Sequence, residues 1–345
     1  MASDERPVST TIPSSEPEPS HAPSEPSKEE PPARTPPSVF QSARIYLLRY
    51  LTFQIRRLDR FLVRFSTILE SPASTDALLG TLGYTLELLA ALFSRLLTHR
   101  LASLASTIAD KADEMLLPGE TLVTTLPTAP SDKLMSQVAA SSRALAALIA
   151  DFRIFVRMWG IAGLYMWARG LWHSPLATEA GPKEKLVRRI TWAQIASLVL
   201  FQVLENGAYL ASKGVLTSEG WSGERGKRKE IAWWIWSSRF WASHVALEIV
   251  RVGVLKYYGD GEDVSRKVKE TVGDGEKEGK LLIEEKKRER RVWWRDAVSN
   301  VAYMPMTLHW SVEEEKGFLS DWGVGLLGAI AGGSLFVDAW EQTAQ

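Results

Sequence analysis

From Val39 almost to the C-terminus, apolar residues recur every three or four positions in long segments, and no stretch shows the strict alternation of a half-buried strand. A chain patterned in this way has one route to a core, helix packed on helix, so the expected fold class is all-α. The segments are interrupted only where turn chemistry intervenes: at Ser71-Pro72, at Leu117-Pro118-Gly119, and between Leu126 and Pro130. Helices are expected at about residues 40–70, 75–115, 132–172, 186–216, 230–257, 280–302 and 320–341.

The ends and one internal stretch break the pattern. Residues 1–38 hold ten prolines and eight serines with almost no aliphatic side chain, too little apolar surface to offset the entropy of ordering, so a disordered Pro/Ser/Glu-rich tail is expected there. Residues 258–291 repeat Gly, Asp, Glu and Lys and read as a charged linker whose later part turns helical. It separates a main helical domain, 39–257, from C-terminal helices at 292–342.

Composition narrows the function. Lys and Arg balance Asp and Glu at 41 each, so no global field draws the chain to nucleic acid, and none is expected as a partner. The absence of cysteine removes disulfides, thiolate metal sites and cysteine nucleophiles together. His21, His99, His173, His244 and His309 are scattered without a metal-ligand spacing, and there is no GxSxG elbow, P-loop or GxGxxG. Asp274, Glu276, Glu278, Gly279, Leu281 and Glu285 fall on calcium-loop positions, but glutamates suit the early positions of that tight loop poorly. No enzyme, cofactor or metal is expected. The N-terminus lacks the basic start of a secretory signal and the chain ends Thr343-Ala344-Gln345, so targeting is expected to be internal.

The most one-sided segment runs from residue 44 to 69. On a wheel of about 100° per residue, Leu47, Tyr50, Leu51, Ile55, Leu58, Phe61, Leu62, Phe65, Ile68 and Leu69 share one side. Arg49, Arg56, Arg57, Arg60 and Arg64 share the other, with Asp59 the single acid among the central charges. Arginines opposite bulky apolar chains suit shallow insertion among anionic headgroups, where the helix wedges one leaflet apart. The alternative is packing on the stripe Leu78, Leu82, Leu86, Leu89, Phe93, Leu97, Leu101 and Leu104, since a hydrophobic face does not name its partner.

Other segments also point to a bilayer. All 14 tryptophans lie at or beyond Trp159, as interfacial anchoring of the second half would require. Lys227-Arg228-Lys229 before Trp233-Trp234, and residues 286–291 before Trp293-Trp294, have the look of basic-aromatic membrane edges. Met158–Trp172, Ile195–Leu216 and Ile231–Leu255 are apolar but carry charges, which fits packed, interfacial or dipping helices. The last segment spans best: Trp322 and Trp340 mark its ends, and nothing charged lies between Asp321 and Asp338. Gly325, Gly328 and Gly332 share a face there, open either to self-association or to packing within the chain.

Taken in order, these features resemble the peroxisomal biogenesis factor 11 (peroxin-11) family. Asp76 and Tyr84, within Ser74-Thr75-Asp76-Ala77-Leu78 and after it, match an element of that family, while Thr75 and Ala77 replace its basic residues, as in a divergent fungal-type member. Arg153 to Arg157 with Gly160 resembles its arginine-spaced helix, Trp236 to Trp241 its serine-to-tryptophan element, and Gly325 to Gly332 its terminal span. The resemblance implies residence in the peroxisomal membrane, with 39–257 as a membrane-remodelling domain that elongates the organelle before fission. It also implies homo-oligomers and cooperation with dynamin-type fission machinery. Two alternatives stay open: a metabolite pore using Glu205, Asn206, Arg239 and Glu248, or a soluble helical adaptor.

Overall fold

The computed structural model describes residues 39–113, 115, 117, 120, 123, 125, 129–259 and 276–343, and every regular element among them is helical. The elements are α1 (Val39–Glu70), α2 (Pro72–Asp113), α3 (Pro130–Arg157), α4 (Gly160–His173), α5 (Pro182–Ser212), α6 (Gly223–Gly259), α7 (Glu276–Trp310) and α8 (Asp321–Gln342), with short 3-10 turns at Glu219–Trp221 and Glu314–Lys316. The all-α expectation holds. The proline-rich tail lies outside the described residues, as does 260–275 of the expected linker; from Glu276 onward that linker is already part of α7.

Local chemistry sets most boundaries. The Ser71 carbonyl accepts the Thr75 N–H at 2.9 Å, closing the first turn of α2 just after Pro72, whose missing N–H costs nothing at a helix start. Pro130 with Asp132 and Pro182 with Glu184 open α3 and α5 in the same way, each acid complementing the positive end of the helix dipole.

Two boundaries differ most from expectation. The helix expected at 132–172 divides at Met158-Trp159, where the Asn206 side-chain amide donates to the Met158 carbonyl at 3.1 Å and so satisfies the break from α5. The one expected to end near 302 instead runs through Pro305 to Trp310. Ala302, Met306 and Thr307 are buried around that proline, so tertiary packing holds the helix where propensity would end it.

The chain divides between Leu58 and Asp59 into two units. The described part of the first is α1 up to Leu58. In the second, neighbours follow one another around a circuit: α3 packs on α2, α2 on α8, α8 on α7, α7 on α6 and α6 on α5. Ion pairs from Arg157 to Glu205 and from Asp151 to Lys213 join α5 back to α3 and close the ring. Its interior combines small residues, with Ala90, Ala146, Ala208 and Ala331 fully buried, and a few larger ones such as Ile68, Val245 and Met306, while Leu148, Phe155, Leu200, Val203 and Ile330 are left outside. Such an inversion is typical of helices that associate in lipid, where closeness of backbones rather than escape from water drives packing.

Candidate functional site

Two regions carry chemistry. The first is the exposed face of α1. Leu47 is 58% exposed, Leu51 45% and Leu58 57%, and Arg49, Arg56, Arg57 and Arg60 are exposed as well. Gln54, the polar residue inside the apolar stripe, is half-buried.

The last turns of α1 behave differently. Phe61 stacks with Phe65 and meets the Trp340 ring at 5.7 Å. Arg64 was expected among the headgroup-binding arginines, but it caps the C-terminus of α8: its guanidinium donates to the Trp340 carbonyl at 2.5 Å and to Thr343 Oγ1 at 2.9 Å, and lies 4.3 Å from the Trp340 ring centre. A cation at a helix C-terminus gains from the dipole and from unsatisfied carbonyls. The exposed part of the set expected to meet lipid therefore thins toward the end of α1: Leu47, Leu51, Leu58, Arg49, Arg56, Arg57 and Arg60 are exposed, Phe61 touches Trp340, and Phe65 and Arg64 are half-buried.

The second region is the middle of the ring. A cavity of about 860 Å³ is lined from all six ring helices, among others by Tyr84 of α2, Arg153 of α3, Glu205 of α5, Trp241 of α6, Tyr303 of α7 and Leu335 of α8. Two bidentate ion pairs stand in its wall. Arg153 donates to both oxygens of Asp76 at 2.7 and 3.0 Å, and Arg157 to both of Glu205 at 2.8 and 2.7 Å. The fork of a guanidinium matches a carboxylate, so each pair fixes the rotation of one helix against another as well as their contact. Arg239, named with Glu205, Asn206 and Glu248 as a candidate pore residue, donates to the Ser311 carbonyl at 3.0 Å and lies over Trp236.

A further polar chain links α5 to α8 across the ring. The Gln194 amide and the Arg251 guanidinium both donate to Glu248, Arg251 reaches Asp296 at 3.6 Å, and Arg295 joins Asp296 to Asp338 at 2.7 Å. Burial alone would raise the Glu248 carboxyl, but the bonds from Arg251 and Gln194 hold it below its usual range. His244, one turn away, is pushed down by burial, and its Nδ1 is buried without a partner.

The glycine face of α8 is used within the chain. A Cβ at Gly325 would stand 2.6 Å from the Leu88 backbone N, one at Gly328 2.2 Å from the Tyr84 ring, and one at Gly332 3.0 Å from Thr81. All three glycines let α8 close on α2, so internal packing is the alternative realised, and a second chain would have to use another face. Trp233 is likewise engaged, edge-on to Trp221 with the Lys229 ammonium 3.8 Å from the Trp221 ring, and Trp293 donates to the Val252 carbonyl at 3.0 Å. Of the calcium-loop residues, Asp274 lies outside the described residues, whereas Glu276 to Glu285 run along helix α7 and form no loop.

Several of these partnerships were not legible from spacing. Asp76 and Arg153 lie 77 positions apart, and Arg157 and Glu205 lie 48 apart. The signal that existed was chemical: a charge within an apolar segment must find a partner. It singled out Glu205 and Glu248 but passed over Gln194, Asp296 and Asp338, which lie nearer segment ends. It also passed over α2 as a membrane span. Among the described residues, three helices, α2, α5 and α8, are long and apolar enough to cross a membrane, and only 28–33% of the most apolar stretch of each is buried.

Several of the residues behind the family resemblance lie around the cavity: Asp76 holds Arg153, Tyr84 lies on Gly328, and Ser237, Ser238 and Trp241 line the same wall. No family model matches the chain, and no solved structure matches it. Over 195 residues, 56% of this chain and 74% of the other, it is 25% identical to an uncharacterized protein of Schizosaccharomyces pombe.

Proposed function

We propose that this chain is a non-catalytic membrane-remodelling protein that lays α1 into one leaflet and, in line with its resemblance to the peroxin-11 family, elongates the peroxisomal membrane before dynamin-type fission. The observation that carries the proposal is the exposure of Leu47, Leu51 and Leu58 along a helix whose other side presents Arg49, Arg56, Arg57 and Arg60. Apolar chains at acyl depth and guanidiniums at phosphate depth make the helix a wedge, and many wedges side by side favour a tube. The apolar exteriors of α2, α5 and α8 support anchoring of the remainder in the same bilayer. Self-association, which the resemblance implies, would proceed through faces other than the glycines of α8. The test is electron microscopy of anionic liposomes mixed with the full chain. Tubules are expected with the native protein and spheres with Leu47, Leu51 and Leu58 all changed to Asp; equal tubulation by both would sink the proposal.

The cavity favours one second function, passage of a small polar solute through the ring. Its wall carries Arg153, Arg157, Glu205 and Asp76 inside an apolar exterior. Planar-bilayer conductance that is unchanged by Arg157→Gln together with Glu205→Gln would count against it.

A further inference from the structure

The helix α4 is apolar, short and almost uncovered. Only Gly160, Leu164, Ala168 and Leu171 are half-buried, a single stripe against α5, and no residue of the helix is buried. Around the rest stand Trp159 at 72% exposure, Tyr165 at 65%, Met166 at 57% and Trp172 at 74%. A Cβ added at Gly163 or Gly170 would meet nothing, so these glycines serve no close packing within the chain. An apolar helix of 14 residues is too short to cross a bilayer, which needs about 20, and is usually a core helix or a segment dipping into the interface. Its exposure removes the first option.

Its neighbours say how it lies. Arg157 pairs with Glu205, Asn206 bonds the Met158 carbonyl, a Cβ on Gly160 would meet Gln202, and Arg188 donates at 2.6 Å to the carbonyls of both Leu171 and Ser174. From Arg157 to Ser174 the partners along α5 run back from Glu205 and Asn206 through Gln202 to Arg188, so the two helices form an antiparallel hairpin. The helix α5 is long and apolar enough to cross a membrane, and its first turns carry Lys183, Lys185, Arg188 and Arg189 against a single acid, Glu184. The two basic side chains of α4, Arg169 and His173, fall at that same basic end, while Trp159 to Met166, at the other end of α4, carry no charge, and the charges nearest them, Arg157 and Glu205, are paired with each other. Positive charge gathered at one end of an apolar hairpin is complementary to an anionic headgroup layer, with the apolar end directed among acyl chains.

We infer that α4 is a second lipid-contacting element, dipping alongside α5 into an anionic leaflet with Trp159, Ile161 and Tyr165 among acyl chains and Arg169 and Lys183 to Arg189 at the headgroups. The inference rests on the proposed membrane residence but not on insertion of α1. The chain has no cysteine, so single labelling sites can be introduced anywhere. Full chains carrying Ile161→Cys, Tyr165→Cys, Thr178→Cys or Leu51→Cys are labelled with an environment-sensitive fluorophore and reconstituted in vesicles of phosphatidylcholine with phosphatidylserine. Each is then challenged with nitroxide-labelled acyl chains and with aqueous iodide. The expected result is acyl-chain quenching at 161 and 165, several-fold stronger than at 178, with iodide preferring 178. Iodide quenching at 161 and 165 overturns the inference, and so does protection from both quenchers, which would mean cover by another protein surface. The Leu51 site reports separately: iodide access there with acyl quenching at 161 and 165 removes the α1 wedge and leaves α4 standing, and the reverse pattern does the opposite.

Discussion

Residues 47–58 of α1 and the interior of the ring are opposites. In α1, large apolar chains stand outside and cations stand opposite them; in the ring, two arginine–carboxylate pairs and a cavity occupy the centre while leucine, valine and phenylalanine face out. A protein folding in water hides apolar surface first and tolerates charges inside only when paired. Both regions leave large apolar side chains outside, and the proposed membrane setting would account for both. The ring shows how such a protein is held together, through small-residue contacts and fixed ion pairs. The face of α1 is the part proposed to work on the membrane.

The comparison breaks most sharply if α1 does not need lipid. Changing Leu47, Leu51 and Leu58 to Asp should weaken binding of the full chain to anionic vesicles by roughly 3–5 kcal/mol, from about 25 cal/mol per Å² of apolar area no longer buried. Sedimentation with vesicles measures this, and the thermal unfolding midpoint should move little, because exposed positions contribute little to stability.

Within the ring, Glu205→Ala should strand the Arg157 guanidinium. Breaking a fully buried pair costs about 3–5 kcal/mol, and the partial exposure of Arg157 should reduce that to roughly 2–3 kcal/mol. Exchanging the partners, Arg157→Glu with Glu205→Arg, should restore part of the loss in thermal unfolding in detergent. No loss on the single change would mean that the pair does not hold α3 to α5.

Gly325→Ala should cost about 1–3 kcal/mol, because the new methyl falls within 2.7 Å of the Leu88 backbone and the helices must part. Gly333→Ala on the same helix meets nothing and should be neutral or stabilise by up to about 1 kcal/mol through helix propensity. Equal responses would place the α2–α8 contact elsewhere.

The smallest expected effect is on pH. Burial holds the His244 pKa below its ordinary value of 6.5. As pH falls through the ordinary value the unfolded chain gains a proton that the folded chain resists, so stability present above about 6.5 declines and then levels once His244 itself protonates. Replacing His244 by Gln should flatten that part of the unfolding-midpoint curve, and an unchanged slope would assign it to another group.

The outline of the helices was legible in the sequence because period, proline and serine act within a few residues of each other. So was the two-sided character of α1, which is a property of one helix. The partners of each face were not. Gly325, Gly328 and Gly332 announced a close approach without saying to what, and Arg64 looked like its neighbours on the wheel until the end of α8 claimed it. The same limit hid Arg153 from Asp76, since a pair that spans 77 positions leaves no local mark.

By itself, then, the sequence determined that this chain is helical, that α1 separates arginines from apolar side chains, and that charges within apolar segments would need partners. Only tertiary structure decided which carboxylate each arginine meets, that the glycines close α8 on α2, and that α4 lies uncovered beside α5. The reason is physical: periodicity is written by neighbours along one helix, whereas pairing and exposure depend on which helices the folded chain brings together.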